Sequence, residues 1–580
     1  MSKLNIDQQT IKNVFSSKGA EYLIPDYQRP YAWGEVECET LWDDIFAFAF
    51  PNEDYSQFNT DDEYFLGPIV TFRNVDKKLE IIDGQQRLTT LLLLLRAFYV
   101  KLEKMQDQNS KSIRETIETC IWKTDEFGNP NKEQLKIESE VASDDDRDEF
   151  IDILKSGQTL GTEKSRYVKN YRYFQTQLDQ FLNEYPSYFA YLPNRILNNC
   201  ILLPIEAESQ DTALRIFSTL NDRGKPLSDT DIFKAQFYSY YTAKGKKKQF
   251  TQRWKLLEEL CDDIFSSPSG SSMDELFARY MYFERAKSGN KKTTTEALRK
   301  FYEKDKYALL KRDSTLDNLE VLADFWKKIT NQDDNEFTER VLKKLAVLNY
   351  APNGMWTYLV SVYFLVNSDE NNHLEDNAFY QFLDKITSFV WAYALTRPGV
   401  NQLRGPAYEE MINIVNHRPV TFANHKFEES AIRNTLENFT FTNQRPITKS
   451  ILTWWAYTNP KQELIPNDTK LDIEHIFARK RQEIENVLTD KKNLESLGNK
   501  ALLEKSLNIR AADYQFSDKK RYYNGYVNDQ RKRKPGTKNE ELLELAATVN
   551  DFTEKEIIAR KQRIIDGFVN YLEQENLLSK

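Results

Sequence analysis

The spacing of apolar positions changes several times along the chain, and each change predicts an element. Residues 63–72 (EYFLGPIVTF) and 78–82 (KLEII) are short β-like runs. The turn sequence Asn74-Val75-Asp76-Lys77 between them predicts a hairpin. The second run passes through Asp83-Gly84 into a leucine-rich stretch over 88–100, which reads as a helix. That stretch is about 13 residues, broken by Thr89, Thr90 and Arg96, against the ~20 a bilayer span needs, so a buried core helix is expected. From 240 to about 450 the pattern is helical throughout, with 244–248, 266–272 and 367–372 as solvated connections. Leu471-Asp472-Ile473-Glu474-His475-Ile476 alternates and predicts a strand. A closing helix is expected from Thr553, with Glu556 three residues on as a capping box. Ile557, Ile558, Ile564, Ile565, Phe568, Val569 and Leu572 are assigned to its apolar face.

Composition narrows the class. With 31 Tyr and 35 Phe the chain is too rich in large side chains to be disordered. Its 18 glycines are about 3% of 580 residues against a usual ~7%, which argues for long helices and against Gly-rich nucleotide folds. The length corresponds to roughly four compact units, and composition separates three regions, 1–240, 241–450 and 451–580. The fold class expected is α+β, mostly helical. A net charge of −9 does not recruit nucleic acid by itself, so any DNA contact needs a local basic patch. Cys38, Cys120, Cys200 and Cys261 are scattered, with no CxxC pair, which fits a reducing compartment. The N-terminus has no apolar signal region, so a cytoplasmic protein without membrane contact is expected.

Two constellations carry chemistry. In the first, Asp83-Gly84-Gln85-Gln86-Arg87 joins a strand to a helix, where Gly permits a tight turn and unpaired helical N–H groups favour an anion. Arg87 is on the wrong end of the helix dipole unless it serves a phosphate. A solvated Asp-Gly turn is the plainer alternative. Arg29 lies in the aromatic-rich Ile24-Pro25-Asp26-Tyr27-Gln28-Arg29-Pro30-Tyr31-Ala32-Trp33, and Asn221, Arg223 and Gly224 lie in a third polar, Arg-bearing turn. In the second, Glu474 and His475 share a strand, and Asn499 and Asn508 follow. Phosphodiester hydrolysis needs a base for water and a cation for the leaving oxygen. A neutral imidazole can be the base, and a carboxylate with an amide oxygen suits Mg²⁺ or Mn²⁺. The same residues also read as a structural Glu–His pair with turn asparagines. Lys520, Arg531, Lys532, Arg533 and Lys534, with Tyr522, Tyr523 and Tyr526 nearby, form a basic stretch suited to DNA phosphates. The remaining histidines, His373, His417 and His425, lack metal-ligand spacing and read as packing or surface residues.

IPDYQRPYAW, DGQQRLTT and IFSTLNDRGKPLSDTDIFK, in that order, resemble the N-terminal domain of the GmrSD family of modification-dependent (type IV) restriction proteins. The weaker segments KIESEVASDDDRDEF and SRYVKNYRYF extend the resemblance over residues 10–240. It implies a ParB/sulfiredoxin-like fold that binds and hydrolyses a nucleoside triphosphate, without deciding between GTP and ATP. Arg29, Asp83, Gly84, Gln85, Gln86 and Arg87 would line its pocket, and Asn221, Arg223 and Gly224 would close it or touch the phosphates. The pattern EHI…LGN…LL…N…F..K resembles the HNH-type (ββα-metal) nuclease domain that accompanies it in that family. This implies His475 as general base, Glu474 as metal ligand, Asn499 orienting His475 and Asn508 as last ligand, with Lys519 or Lys520 on phosphate. Two departures stand out: Phe477-Ala478-Arg479 follows where the family has a proline, and Asn508 stands in place of a histidine. The implied function is an NTP- and metal-dependent endonuclease of bacterial anti-phage defence acting on modified double-stranded phage DNA. A nucleotide-regulated DNA sensor with a weak or inactive nuclease centre is the alternative. Neither the oligomeric state nor a partner subunit follows from the sequence.

Overall fold

The computed structural model describes residues 5–579 except 18, 142–145, 160–164, 211, 215, 217–227, 266–270, 293–295, 398–399, 512–514 and 528–531. It is an α+β protein, mostly helical, and divides into two compact units, Met1–Leu256 and Leu257–Lys580.

The first unit is built on one mixed sheet. Its strands are β1 (Asn5–Ile6), β2 (Gln9–Thr10), β3 (Tyr22–Ile24), β4 (Tyr64–Arg73), β5 (Leu79–Asp83), β6 (Ile137–Ser139) and β7 (Cys200–Ala207). They lie in the order β1-β7-β4-β5-β3-β6, with β2 also on β7. The expected hairpin is β4–β5, paired antiparallel with Thr71 opposite Ile81. Asn74 closes its turn by accepting from the backbone N–H of Asp76 and Lys78. Both strands of this hairpin also have parallel neighbours, β7 beside β4 and β3 beside β5.

The leucine stretch is the helix α1 (Gln85–Leu102), with Leu88 and Leu91 to Leu95 all buried. Burying each such side chain is worth about 1.5–3 kcal/mol, which makes this helix the centre of the unit's core. Arg96 is buried too, because it has backbone partners: its Nε donates to the Leu154 carbonyl at 3.0 Å, at the end of the helix Arg147–Ser156. A guanidinium thus caps carbonyls that a helix end leaves free. The chain then continues through the helix Asp229–Ala243, whose N-cap Ser228 and Asp231 form a reciprocal capping box.

The second unit begins with helices, as the periodicity over 240–450 predicts. At the end of the first unit the basic stretch 244–248 is only partly a loop, since the helix Lys247–Ile264 starts inside it. Lys247 is ordered there by Asp26, 3.2 Å away. Residues 266–270 of the serine-rich connection lie outside the described residues, and Ser271 caps the helix Ser272–Lys287.

The last part of this unit holds a strand–strand–helix motif. Strands β8 (Leu471–His475) and β9 (Lys500–Glu504) pair antiparallel, with Glu474 opposite Ala501 and His475 opposite Lys500. Helix α2 (Lys505–Ala511) follows β9 directly. Next come α3 (Phe516–Tyr523), the small ladder β10 (Tyr526–Val527) with β11 (Arg533–Lys534), and α4 (Glu554–Gln574). Phe477, Leu503, Leu507, Phe516, Tyr523 and Ile557 share one core. Thr553 and Glu556 form the expected capping box of α4. One apolar position differs from expectation: Ile558 is 49% exposed. It sits about 100° around the helix from buried Ile557, which carries it off the packed face.

All four cysteines are buried free thiols, and burial pushes each up to about 12. No helix among the described residues is long and apolar enough to cross a membrane.

Candidate functional site

At the first constellation, Asp83 ends β5 and Gly84 turns the chain into α1 at φ +96°. A side chain there would be strained and would meet Ile69 at 3.2 Å, so glycine is what lets the strand enter the helix directly. The N–H groups ahead of Leu88, which donates to the Gly84 carbonyl, have no partner within the helix. Arg87 lies behind this turn. Its Nη1 donates to the Pro68 carbonyl at 2.9 Å, and its guanidinium lies flat against Gly67, where a Cβ would come within 3.0 Å of Nη2. Burial pulls the Arg87 guanidinium down from its ordinary value, and Asp83 opposes this. Burial raises the Asp83 carboxyl, and the charges of Arg87 and Arg29 oppose it. Arg29, Asp83 and Arg87 therefore form one electrostatic group at the start of a helix.

The two glutamines of this motif do a different job from the one the resemblance implies. Gln85 Nε2 donates to the Arg29 carbonyl at 2.9 Å. Gln86 Oε1 accepts from the N–H groups of Ala32 and Trp33, and its Nε2 donates to the Pro30 carbonyl. Gln28 reaches back from the same loop to the carbonyls of Ile81 and Ile82. These side chains are committed to the backbone, and they fasten the arginine-bearing loop to the strand–helix junction. Asn221, Arg223 and Gly224 lie outside the described residues.

At the second constellation, His475 is the last residue of β8. Its Nε2 lies 3.2 Å from Glu495 Oε1. Glu495 also accepts from Arg479 Nη2 at 2.6 Å and from Lys500 Nζ at 2.6 Å. Lys500 is fully buried and donates as well to Asn443 Oδ1 at 2.7 Å. Burial raises the Glu495 carboxyl, but the Lys500 ammonium outweighs it and holds the group below its usual value. Burial first, then the charge of Lys500, push the His475 imidazole down to about 4, with Glu495 opposing and Arg479 adding. The ring is thus neutral near pH 7. An ionised carboxylate only accepts, so Nε2 carries the ring hydrogen and Nδ1 keeps its lone pair. Nδ1 has no hydrogen-bond partner among the described residues.

Asn499 and Lys519 make contacts other than those the resemblance implies. Asn499 does not touch the His475 ring. Its Oδ1 accepts from the Phe477 N–H at 2.7 Å, and its Nδ2 donates to the carbonyls of Phe477 and Leu494. With the Ile476 N–H donating to the Asn499 carbonyl, this fixes the turn leaving the strand, and the ring itself is held by Glu495. Lys519 is fully buried and unavailable to a phosphate. Its Nζ donates to Glu474 Oε1 at 2.7 Å and to the His475 carbonyl. Glu474 faces away from the imidazole, as alternation on a strand requires, into the core beside Tyr523, whose hydroxyl donates to the same Oε1 at 2.8 Å. Burial raises the Glu474 carboxyl, and Lys519 and Tyr523 oppose it.

Among the described residues, no three His, Cys, Asp or Glu side chains gather into a metal-binding group. The hard donors at hand are Glu474 and Asn508. Asn508 Nδ2 lies 3.4 Å from the Ile473 carbonyl, which brings the amide beside the strand that carries Glu474. Glu474 Oε2 and Asn508 Oδ1 make no side-chain hydrogen bond among the described residues. Mg²⁺ is commonly held by one or two carboxylates, with water and substrate phosphate completing the shell, but Glu474 is 2% exposed and ion-paired, so holding an ion there requires Lys519 to release the carboxylate. Lys519 competes with any such ion for Glu474.

The surrounding scaffold is tightly fixed. Glu554 accepts from the N–H groups of Thr489 and Asp490 and from Asn493 Nδ2, securing the segment that leads to Glu495. Arg560, 1% exposed, donates from Nη1 to the carbonyls of Leu497, Gly498 and Lys500 and pairs in a fork with Glu541 at 2.8 and 2.7 Å. A Cβ at Gly498 would sit 2.0 Å from the Ile557 carbonyl, which accounts for the glycine of the LGN triplet. Of the basic stretch, Lys532, Arg533 and Lys534 are exposed, the last two on β11, and Lys520 lies over the Phe516 ring at 5.3 Å. Tyr522 and Tyr526 pair at 5.0 Å. Arg531 lies outside the described residues.

Glu495 carries no site signal in the sequence, and Arg479, Lys500 and Tyr523 carry none for the contacts they make here. Glu495 stands 20 positions from His475 and in no spacing motif, so only the folded pairing shows it.

Comparison with known proteins gives two matches to family models. Residues 11–238 match the N-terminal domain of GmrSD restriction endonuclease, and residues 426–566 match the C-terminal domain of GmrSD restriction endonucleases. No curated protein matches the chain.

Proposed function

The chain belongs to the GmrSD restriction endonuclease family, and from that premise we propose that it is an NTP- and metal-dependent nuclease of bacterial anti-phage defence that cuts modified double-stranded DNA at an HNH-type centre. Family membership makes it an endonuclease of a restriction system with DNA as substrate. The finer reading rests above all on one observation: His475 Nε2 lies 3.2 Å from Glu495 Oε1, and its Nδ1 has no hydrogen-bond partner among the described residues.

In this mechanism His475 Nδ1 takes the proton of the attacking water, and Glu495 stabilises the imidazolium that forms. Asn499 keeps the strand exit rigid, so the ring does not drift from the attacked phosphorus. Glu474 and Asn508 would hold Mg²⁺ or Mn²⁺, which supplies charge for the leaving oxygen. Lys520, Arg533 and Lys534 offer phosphate contacts that position the duplex without reading its sequence. Arg531 and Lys532 belong to the same basic stretch. In the first unit, Arg29, Arg87 and the helix N-terminus after Gly84 would take the nucleotide phosphates, with Asp83 facing their cation or a ribose hydroxyl and Gln85 and Gln86 keeping the loop in place. By the family resemblance Asn221, Arg223 and Gly224 would belong to the same site, and they lie outside the described residues.

Arg87→Ala is expected to weaken nucleotide binding at least tenfold in calorimetry, because it removes a buried phosphate donor and leaves Asp83 uncompensated. Wild-type affinity in that variant would remove Arg87 from the site. The function as a whole is tested by a cleavage panel of modified and unmodified phage DNA, each with and without GTP, ATP, Mg²⁺ and Mn²⁺. Cleavage confined to modified DNA with nucleotide and metal supports the proposal, and cleavage independent of all three contradicts it. A second reading, a nucleotide-regulated DNA sensor with a weak nuclease centre, is favoured by the Lys519 ion pair on Glu474. Absence of metal-dependent nicking on every DNA of the panel would select it.

A further inference from the structure

Within the second unit, the helices Met355–Asn367 and Asp376–Thr396, the loop that follows Val400–Val415 and the end of α4 surround a cavity of about 710 Å³ that opens to solvent. Sites for small organic ligands occupy about 300–1,000 Å³. The wall is drawn from residues 363–420 and from Glu575, so none of it falls within either segment matched to the family. One side of the wall is aromatic. Tyr363 stacks on Phe382, with ring centroids 4.0 Å apart and planes 13° from parallel. Phe382 is buried, whereas Tyr363 is half-buried and its hydroxyl bonds to no described residue. Ile414, Pro419 and Val420 add apolar surface.

The polar groups of the wall are not all engaged. Lys385 is held by Glu575, through Oε2 at 2.9 Å and the backbone carbonyl. Gln381, His417 and Arg418 are exposed at the cavity, and their side chains make no hydrogen bond or ion pair among the described residues. Lys385 and Arg418 face the single acid Glu575, so the wall carries an excess of positive charge. Lys426 stands nearby, where burial and then the charge of Lys385 pull its ammonium down. Glu375, whose charge bears on Tyr363, is occupied by the N–H groups of Asn377 and Ala378. A lone exposed arginine is ordinarily solvated. Here a guanidinium, an imidazole, an amide and a phenol hydroxyl, from three stretches of chain, converge on one cavity beside an aromatic wall. A flat ring next to an amide and a hydroxyl suits a heterocycle that both donates and accepts, and a guanidinium suits a phosphate. A nucleotide carries both.

We propose that this cavity binds a nucleotide, with its base against Tyr363, Gln381 at the base edge and Arg418 on the phosphate. It is a site in a different unit from the Arg29, Asp83 and Arg87 group, and it stands whether or not that group binds a nucleoside triphosphate. The nucleotide is either a free molecule or one turned out of a DNA strand, and the two sources are separable by experiment. Adenine is the probe base, because an amide side chain pairs with its edge. Calorimetry at low salt without divalent metal measures deoxyadenosine monophosphate, a short duplex with one unpaired adenosine, and the fully paired duplex. The full chain is used as wild type, Arg418→Gln, Gln381→Ala and Arg87→Ala. Arg418 and Gln381 are exposed, so their variants should melt with the wild type. If the source is a free nucleotide, the monophosphate binds the wild type and Arg87→Ala, binds Arg418→Gln at least about tenfold more weakly, and no protein distinguishes the duplexes. If the source is DNA, the wild type prefers the duplex with the unpaired adenosine, and Arg418→Gln and Gln381→Ala lose that preference. Monophosphate binding lost in Arg87→Ala but kept in Arg418→Gln would place it in the first unit and overturn the proposal. So would a wild type that neither binds the monophosphate nor distinguishes the duplexes, or one whose responses Arg418→Gln and Gln381→Ala share in full.

Discussion

His475→Ala is expected to lower strand cleavage by about 10²–10⁴-fold, the range for loss of a general base, while nucleotide hydrolysis by the same protein stays at the wild-type rate. The imidazole is the one group at the end of β8 with a free basic nitrogen, and its Nε2 is already committed to Glu495. Removing it leaves Glu495 salt-bridged to Lys500 and Arg479, so the local fold should survive. The separation of the two activities matters, because a variant that lost both would point to misfolding. A nicking assay on supercoiled DNA, run beside phosphate release from the nucleotide, reads both. Undiminished nicking would end the assignment of His475.

Arg560→Ala is expected to destabilise the second unit by about 3–5 kcal/mol, the cost of stripping one partner from a buried ion pair. The substitution leaves Glu541 without its fork and takes the donor from three carbonyls in the 497–500 turn. That turn carries Asn499 and leads into β9, so the loss should fall on nicking as well as on stability. Replacing both partners, Arg560→Met with Glu541→Leu, should recover only part of the stability, since it removes both desolvated charges but leaves the three carbonyls, and the Trp455 Nε1 that donates to Glu541 at 2.6 Å, without partners. Chemical denaturation of the three proteins measures this. A loss under about 1 kcal/mol in Arg560→Ala would mean that the fork is solvated and contributes little.

The elements that position both sites were legible because each depends on short-range pattern. The β4–β5 hairpin, α1 after Asp83-Gly84, strand β8 and the capping box of α4 follow from alternation, helical spacing and turn residues. The side-chain partnerships were not legible in the same way. Lys519 reads as a phosphate contact by its place in the family pattern, yet it is buried, because Glu474 needs a counter-charge once β8 packs against α3. Gln85 and Gln86 read as pocket residues, yet the loop at 25–33 claims their amides. Glu495 ends a short helical turn, Lys491–Glu495, that nothing in the sequence marks, and only folding brings it to His475. Ile558 joins the apolar row by composition and leaves it by angle. In each case the deciding partner is distant in sequence, and only tertiary packing selects it.

Strand cleavage is assigned to a centre around His475 that works with a divalent ion. Its most direct test is a Mn²⁺ titration of the wild-type chain on supercoiled modified DNA in the presence of nucleotide, with His475→Ala as the blank. Nicking that rises with Mn²⁺ and saturates in the wild type, and stays at background in the variant, is the predicted result. No nicking by the wild type at any Mn²⁺ concentration, or equal nicking by both proteins, would contradict it.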